Sequence, residues 1–143
     1  MRMVLLLAAL LATGPTLAES VAVHDAWVRL IPGDGPSAGY GTLENRGSEP
    51  VELVAAESPR YGTISLHESV ESGGTSRMAH VQGITVAPGE KRRLAPGGLH
   101  LMLMDPQDPP AIGGSMPITL RFADGATVKA AFTVEPPYSQ GPQ

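Results

Sequence analysis

Short stretches of alternating apolar and polar residues cover most of this chain, and none repeats apolar residues with a helical period. Such alternation is typical of half-buried β-strands. Glycine and proline, 17 and 14 of the 143 residues, separate these stretches, as expected of turns. The pattern predicts an all-β sandwich or barrel with these strands: Val21–Leu30, Ala38–Glu44, Val51–Ala56, Gly62–Glu68, Met78–Gln82, Lys91–Leu94, Leu99–Met104, Pro117–Phe122 and Thr127–Val134.

Two segments without alternation, Ile31–Ser37 and Ser69–Arg77, are predicted to be loops. Ser69–Arg77 contains two adjacent glycines, which favour irregular or turn conformations. Asp105–Ser115 is rich in proline, and we expect it to include a helical turn.

The run Leu99–Met104 has the most informative alternation. Successive strand side chains point to opposite faces, so its three leucines share one face while His100, Met102 and Met104 share the other. A core strand ordinarily places hydroxyl or charged groups opposite its leucines. An imidazole and two thioethers are instead the nitrogen and soft sulfur donors that copper(I) prefers.

A second histidine stands on a strand in the same way. Ile64 and Leu66 have the parity of core residues, and His67 has the opposite parity. Met78 begins the strand that follows the glycine-containing loop, and a loop of that length can bring Met78 back beside His67.

His67, Met78, His100 and Met102 together offer two imidazoles and two thioethers, which suffice for a four-coordinate metal site. All four donors are neutral, so a monovalent ion adds only its own charge to the buried site. Zinc more often takes a carboxylate or thiolate ligand, and calcium and magnesium take oxygen, so Cu(I) fits best. Only the imidazoles compete with protons, so binding is expected to weaken as the pH falls through the histidine pKa.

Composition excludes several other classes of function. The chain has no cysteine, which excludes a blue-copper centre and cysteine-ligated zinc. The formal net charge is −4 and no basic stripe is present, so nucleic acid is not an expected partner. We find no Gly-x-Ser-x-Gly motif, catalytic carboxylate pair or glycine-rich phosphate loop, so we do not expect an enzyme.

Residues 1–18 resemble a bacterial secretory signal peptide. Arg2 precedes the apolar run Val4–Ala12, the breaker Gly14-Pro15 follows, and Thr16-Leu17-Ala18 then suits cleavage near Ala18. The run is shorter than the ~20 residues that span a bilayer, and no cysteine follows for lipid attachment, so no stable membrane anchor is expected. The sequence therefore predicts a periplasmic protein with a domain at 19–135 and a disordered tail at 136–143.

The spacing of the four candidate ligands resembles a family signature. His67 is followed by ten residues and Met78, and then by 21 residues, His100, one residue and Met102. This is the H-x10-M-x21-H-x-M motif of the periplasmic copper chaperones called PCu(A)C. Three further stretches are similar to that family, so that the resemblance covers nearly the whole chain after residue 18: Ala26–Arg29, Ala38–Asn45 and Leu94–Met104.

The resemblance implies a cupredoxin-like Greek-key β-barrel with a partly exposed Cu(I) site at His67, Met78, His100 and Met102. It also implies delivery of copper toward the CuA centre of cytochrome c oxidase. The apo acceptor would be subunit II of that oxidase or a Sco-like thiol protein, and a monomer suits a carrier that docks transiently. Two other interpretations stay open: a periplasmic copper scavenger or buffer, and a structural β-sandwich interaction module whose His/Met face is incidental.

The chain departs from the family pattern beside the first histidine. Many members have methionine where this chain has Glu68, and members often have further methionines in the next segment, where this chain has none before Met78. The primary site is retained, whereas auxiliary thioether capture of copper is not supported. Met104 is expected to pack near the site, and His80, which shares the parity of Met78, to lie at its rim.

Overall fold

The computed structural model describes residues 20–142, which form one hydrogen-bonded system of ten β-strands. No α-helix occurs within residues 20–142, and hence none that could cross a membrane, so the all-β prediction is confirmed. The predicted signal peptide, 1–18, lies outside the described residues, and the domain boundaries stay predictions. The strands are β1 Val21–Arg29, β2 Ser37–Asn45, β3 Val51–Ser58, β4 Tyr61–Ser72, β5 Thr75–His80, β6 Ile84–Val86, β7 Lys91–Leu94, β8 Leu99–Pro106, β9 Ser115–Phe122 and β10 Thr127–Glu135.

Seven of these strands close into a barrel. Their order is β3-β4-β8-β2-β1-β10-β9, and β9 pairs with β3 to complete the circuit. Strand β3 pairs with β4, and β4 pairs with β8, both in antiparallel fashion. Strand β8 then pairs on its other side with β2, the strand that precedes all three in the chain. This is a Greek-key connection, and the expected cupredoxin-like Greek-key barrel is confirmed.

The hydrophobic core fills the barrel with alternate residues of its strands. On β8, Leu101 and Leu103 are 1% and 0% exposed, so the predicted leucine face is the inner face. Gly39 lies opposite Leu101 on the neighbouring β2. A Cβ at Gly39 would come 3.2 Å from the Leu101 Cβ, so a larger residue there would crowd the core face of β8.

The segment predicted as the loop Ser69–Arg77 is instead mostly sheet, so that prediction was wrong. Strand β4 runs on to Ser72, and β5 begins at Thr75 after only two residues, Gly73 and Gly74. Both glycines have positive φ, 58° and 83°, as a two-residue hairpin turn requires. Six consecutive residue pairs join β4 to β5. The sequence did not predict this hairpin, because it has too few apolar residues to show alternation. Its strands are held by backbone hydrogen bonds, which do not require apolar side chains.

Two further local expectations differ from the structure. Strand β6 was not predicted, because three residues are too few for alternation to be recognised, yet Ile84 and Val86 are buried beside β3. Residues 107–114 contain turns and bends but no helical turn.

The segment 136–142 runs along β1 on the face that points away from the core. Arg29 donates from Nε and Nη2 to the carbonyl oxygen of Ser139, at 3.0 and 2.7 Å. The same guanidinium lies over the rings of Trp27 and Tyr40, 5.5 and 5.4 Å from their centroids. The disorder predicted for 136–143 stays a prediction.

We expect Leu103→Ala to lower the free energy of unfolding by about 2–5 kcal/mol, because it removes a fully buried side chain and leaves a cavity. Urea denaturation followed by tryptophan fluorescence measures the change. The control is Ile112→Ala, whose side chain is 51% exposed and whose effect should stay within about 0.5 kcal/mol. Equal effects of the two substitutions would contradict the placement of Leu103 in the core.

Candidate metal centre

Three histidines stand side by side on the outer face of β5, β4 and β8. His67 on β4 lies directly opposite His100 on β8 and directly opposite His80 on β5. The ring centroids of His67 and His100 are 6.0 Å apart with planes inclined by 25°, and those of His67 and His80 are 5.6 Å apart in an edge-on arrangement. Strand pairing thus brings together imidazoles that are far apart in the sequence.

His100 is only 2% exposed although it lies on the opposite face from the core leucines. Its Nδ1 atom is 3.0 Å from the carbonyl oxygen of Gly98. A carbonyl oxygen can only accept, so Nδ1 carries the proton and donates it. The other ring nitrogen, Nε2, is buried without a hydrogen-bond partner. Nε2 therefore carries an unused lone pair and can ligate a metal ion, while Nδ1 is held by its hydrogen bond to a carbonyl group, as is usual for metal-binding histidines.

His67 has a complementary arrangement. Its Nε2 atom is 2.9 Å from Oγ of Ser65, and its buried Nδ1 has no hydrogen-bond partner. When Nε2 donates to the serine oxygen, Nδ1 presents a lone pair. A buried nitrogen without a partner destabilises the fold, and a metal ion bound to Nδ1 of His67 and Nε2 of His100 would supply the missing partner.

Electrostatics keep His67 in the form that binds metals. Burial lowers the pKa of His67 from the ordinary histidine value of 6.5, and the neighbouring His100 and His80 lower it further. Burial disfavours the charged ring, and protonated neighbours would repel a second positive charge. His67 therefore remains neutral to a lower pH than a solvated histidine.

The two candidate thioethers lie on opposite sides of the histidine row. Met102 on β8 is opposite Ser65, and Met78 on β5 is opposite Ser69. Both methionines share the face of His67, because alternate residues of β4 point the same way. Met102 is half-buried, whereas Met78 is 58% exposed. The structure thus places His67, His100 and both methionines on one face of adjacent strands, and their assignment as ligands stays a prediction.

The residue opposite His67 on β5 is His80 rather than Met78, which the sequence reasoning had placed beside His67. The signal was available in the sequence. A two-residue turn at Gly73-Gly74 pairs Ser72 with Thr75, and counting outward from that pair sets 67 against 80.

The remaining residues singled out in the sequence lie close by. Met104 is opposite Thr63, one alternate position beyond Met102 on the same face. Glu68 pairs with Leu99. Because it is adjacent to His67 on the strand, its side chain points to the other face of the sheet. In the described range 20–142, no three side chains of histidine, aspartate or glutamate converge so that they could hold one metal ion. A centre of three or more ligands on this face can draw on the thioether sulfurs of Met78 and Met102 beside the imidazoles.

The fold and this face together define an all-β protein that carries imidazole and thioether side chains on one outer face of its barrel. The sequence profile of a family described as "Putative lipoprotein LpqE-like" matches residues 21–134, and the chain belongs to that family. "Putative lipoprotein Lxx21020" of Leifsonia xyli subsp. xyli (strain CTCB07) is 37% identical over 119 residues, which are 82% of this chain and 71% of that protein.

Solved structures similar to the chain include the following two. The solution structure of CuI-DR1885 from Deinococcus radiodurans is 30% identical with a TM-score of 0.63, and the match covers 82% of this chain and 81% of that one. The copper-bound PCuAC domain from PmoF2 is 22% identical with a TM-score of 0.70, over 82% and 94% of the respective chains, and this likeness shows the shared fold. The resemblance to the PCu(A)C family is confirmed.

We expect the His67 ring of the metal-free protein to titrate below 6.5, and the folded state to lose stability as the pH falls. The unfolded chain has the higher pKa and so binds more protons between the two values. The contribution of neutral His67 to the free energy of unfolding is therefore fully present above pH 6.5, and it is lost as the pH falls through the pKa of the folded state. An NMR titration of the imidazole signals, with His67→Gln for assignment, measures the midpoint. A midpoint at or above 6.5 would contradict the burial of this ring.

Proposed function

We propose that this protein is a Cu(I) metallochaperone of the cell envelope, with His67, Met78, His100 and Met102 as ligands of the transported ion. The observation that carries the proposal is the pair of buried ring nitrogens, Nδ1 of His67 and Nε2 of His100, which have no hydrogen-bond partner and lie on adjacent strands. Methionines on both sides offer the soft sulfur that Cu(I) prefers.

The gradient of exposure across the site supports transfer rather than permanent storage. His100 is buried, whereas Met78 is exposed on β5 at the edge of the sheet. An acceptor can approach from that edge and replace the copper ligands one at a time. Because every proposed ligand is neutral, releasing the ion does not leave an unpaired anion in the site.

The similar structures support copper as the cargo. DR1885 has been solved with Cu(I), at 30% identity to this chain, and the PmoF2 domain has been solved with copper. The relative from Leifsonia xyli is named a lipoprotein, and residues 1–18 resemble a signal peptide. We therefore propose a periplasmic location, and the CuA centre of cytochrome c oxidase subunit II or a Sco-like thiol protein as the acceptor.

A competitive titration with a chromophoric Cu(I) chelator, under reducing conditions, tests the binding site. We expect tight one-to-one binding, and a loss of affinity of at least about 10–100-fold in His100→Ala and in Met102→Ala, because each variant lacks a proposed ligand. His24→Ala and Met104→Leu are the matched controls, since His24 faces Glu44 elsewhere on the barrel and Met104 lies beyond the proposed ligands. Binding that is weak, or equal in all four variants, would contradict the proposed site.

Transfer to an acceptor separates a chaperone from a copper buffer. The Cu(I)-loaded protein is mixed with a soluble apo CuA domain, and metal occupancy of the acceptor is followed by its absorption after oxidation. A chaperone should load the acceptor faster than a small-molecule chelator that maintains the same free copper concentration, because docking places donor and acceptor ligands together. Loading of this acceptor at the chelator rate, together with the same result for an apo Sco-like thiol protein, would favour the buffering function instead.

A further inference from the structure

Strands β5 and β8 carry the same pair of donors on either side of β4. Met78 and His80 are separated by one residue on β5, and His100 and Met102 by one residue on β8. All four share the outer face, and His67 stands between the two histidines. The site therefore has two imidazole–thioether pairs and one central imidazole.

The two pairs differ sharply in exposure. The β8 pair is the inner one, because His100 is 2% exposed and Met102 is half-buried. The β5 pair is the outer one, because His80 is exposed and Met78 is 58% exposed. Strand β5 pairs only with β4, so its other edge is open among the described strands. A partner that approaches this edge meets the outer pair first.

The central ring of His67 is within reach of both flanking rings. Its centroid is 6.0 Å from that of His100 and 5.6 Å from that of His80. The three imidazoles nevertheless do not converge on one point in the described structure. An ion can therefore be shared by His67 and His100, or by His67 and His80, but the present arrangement of rings does not favour all three at once.

We propose that His80 is an exchange ligand, which takes the place of His100 when copper leaves or enters the site. This inference rests on the proposed function. The ion held by His67, Met78, His100 and Met102 shifts to His67, Met78 and His80. The bonds from copper to His100 Nε2 and to the Met102 sulfur break, and a bond to a ring nitrogen of His80 forms. Copper remains Cu(I), and no electron is transferred.

The rate at which copper is removed by excess chelator, measured by stopped flow, tests this role. We expect His80→Ala to slow removal by about tenfold, because copper must then leave without an intermediate ligand at the edge strand. The equilibrium affinity should change far less than in His100→Ala. Ser76→Ala is the matched control, since Ser76 is exposed on the same strand and face, and it should remove copper at the wild-type rate.

Two further substitutions distinguish ligation from packing against His67. His80→Met retains a Cu(I) donor and should restore most of the rate, whereas His80→Phe retains a flat ring without a donor and should remain slow. A wild-type rate in His80→Ala, or restoration of the rate by His80→Phe alone, would overturn the inference. If the wild-type protein binds no Cu(I), the proposed function fails as well, and that outcome is distinct from the first two.

Direct evidence comes from NMR of the imidazole nitrogens during titration with Ag(I), a monovalent soft ion used in place of Cu(I). We expect the His67 and His100 nitrogens to shift most, and the His80 nitrogens to shift or broaden as the ion samples the outer position. No response of His80 while His67 responds would overturn the role of His80 as a ligand, whatever the kinetic result.

Discussion

The antiparallel pairing of β4 with β8 is the constraint on which the rest of this protein's site depends. Register places His67 directly opposite His100, and in a sheet a shift of one residue would turn a strand's side chains to the other face. Such a shift of β4 would send Leu66 to the surface and His67 into the core, and a shift of β8 would do the same to Leu101 and His100. The core leucines therefore hold the histidines in register, because the burial of one face determines the position of the other.

The barrel supplies a rigid frame, and the hairpin of β4 and β5 extends from it. The inner face of β8 is filled by buried leucines, with glycine at position 39 against Leu101. Beyond the barrel, β4 and β5 continue as a two-stranded ribbon that ends at Gly73 and Gly74. The more buried donors thus lie on a barrel strand, while the exposed donors lie on an edge strand. This division of one site between a core strand and an edge strand suits a protein that must both hold an ion and release it.

The chemistry of the site follows from how each ring nitrogen is satisfied. The Gly98 carbonyl accepts a hydrogen bond from His100, and Ser65 contacts Nε2 of His67. Each contact leaves the other ring nitrogen buried and without a partner. Burial also lowers the pKa of His67, which keeps its lone pair available. The fold therefore prepares two neutral nitrogen donors in advance, and with the neighbouring thioethers they form the donor set that we propose for Cu(I).

Much of the fold and the types of donor could be predicted from the sequence, because strand alternation and residue chemistry are local properties. The parity of Leu99–Met104 and of Ile64–His67 alone assigned each side chain to the inner or outer face, and the outcome agrees for Leu66, Leu101 and Leu103. The extent of β4 and β5 was missed, because polar strands are recognised by their pairing and not by their composition.

Only the tertiary structure decided which donors are neighbours and how they are oriented. It set His67 on β4 opposite His100 on β8, and it gave Gly98 and Ser65 their roles beside the two rings. It also laid the segment around Ser139 against Arg29. Alternation along one strand determines the face to which a side chain points. The residues beside it on the neighbouring strands depend on the register between those strands. That register is determined by turns and by core packing contributed from distant parts of the chain.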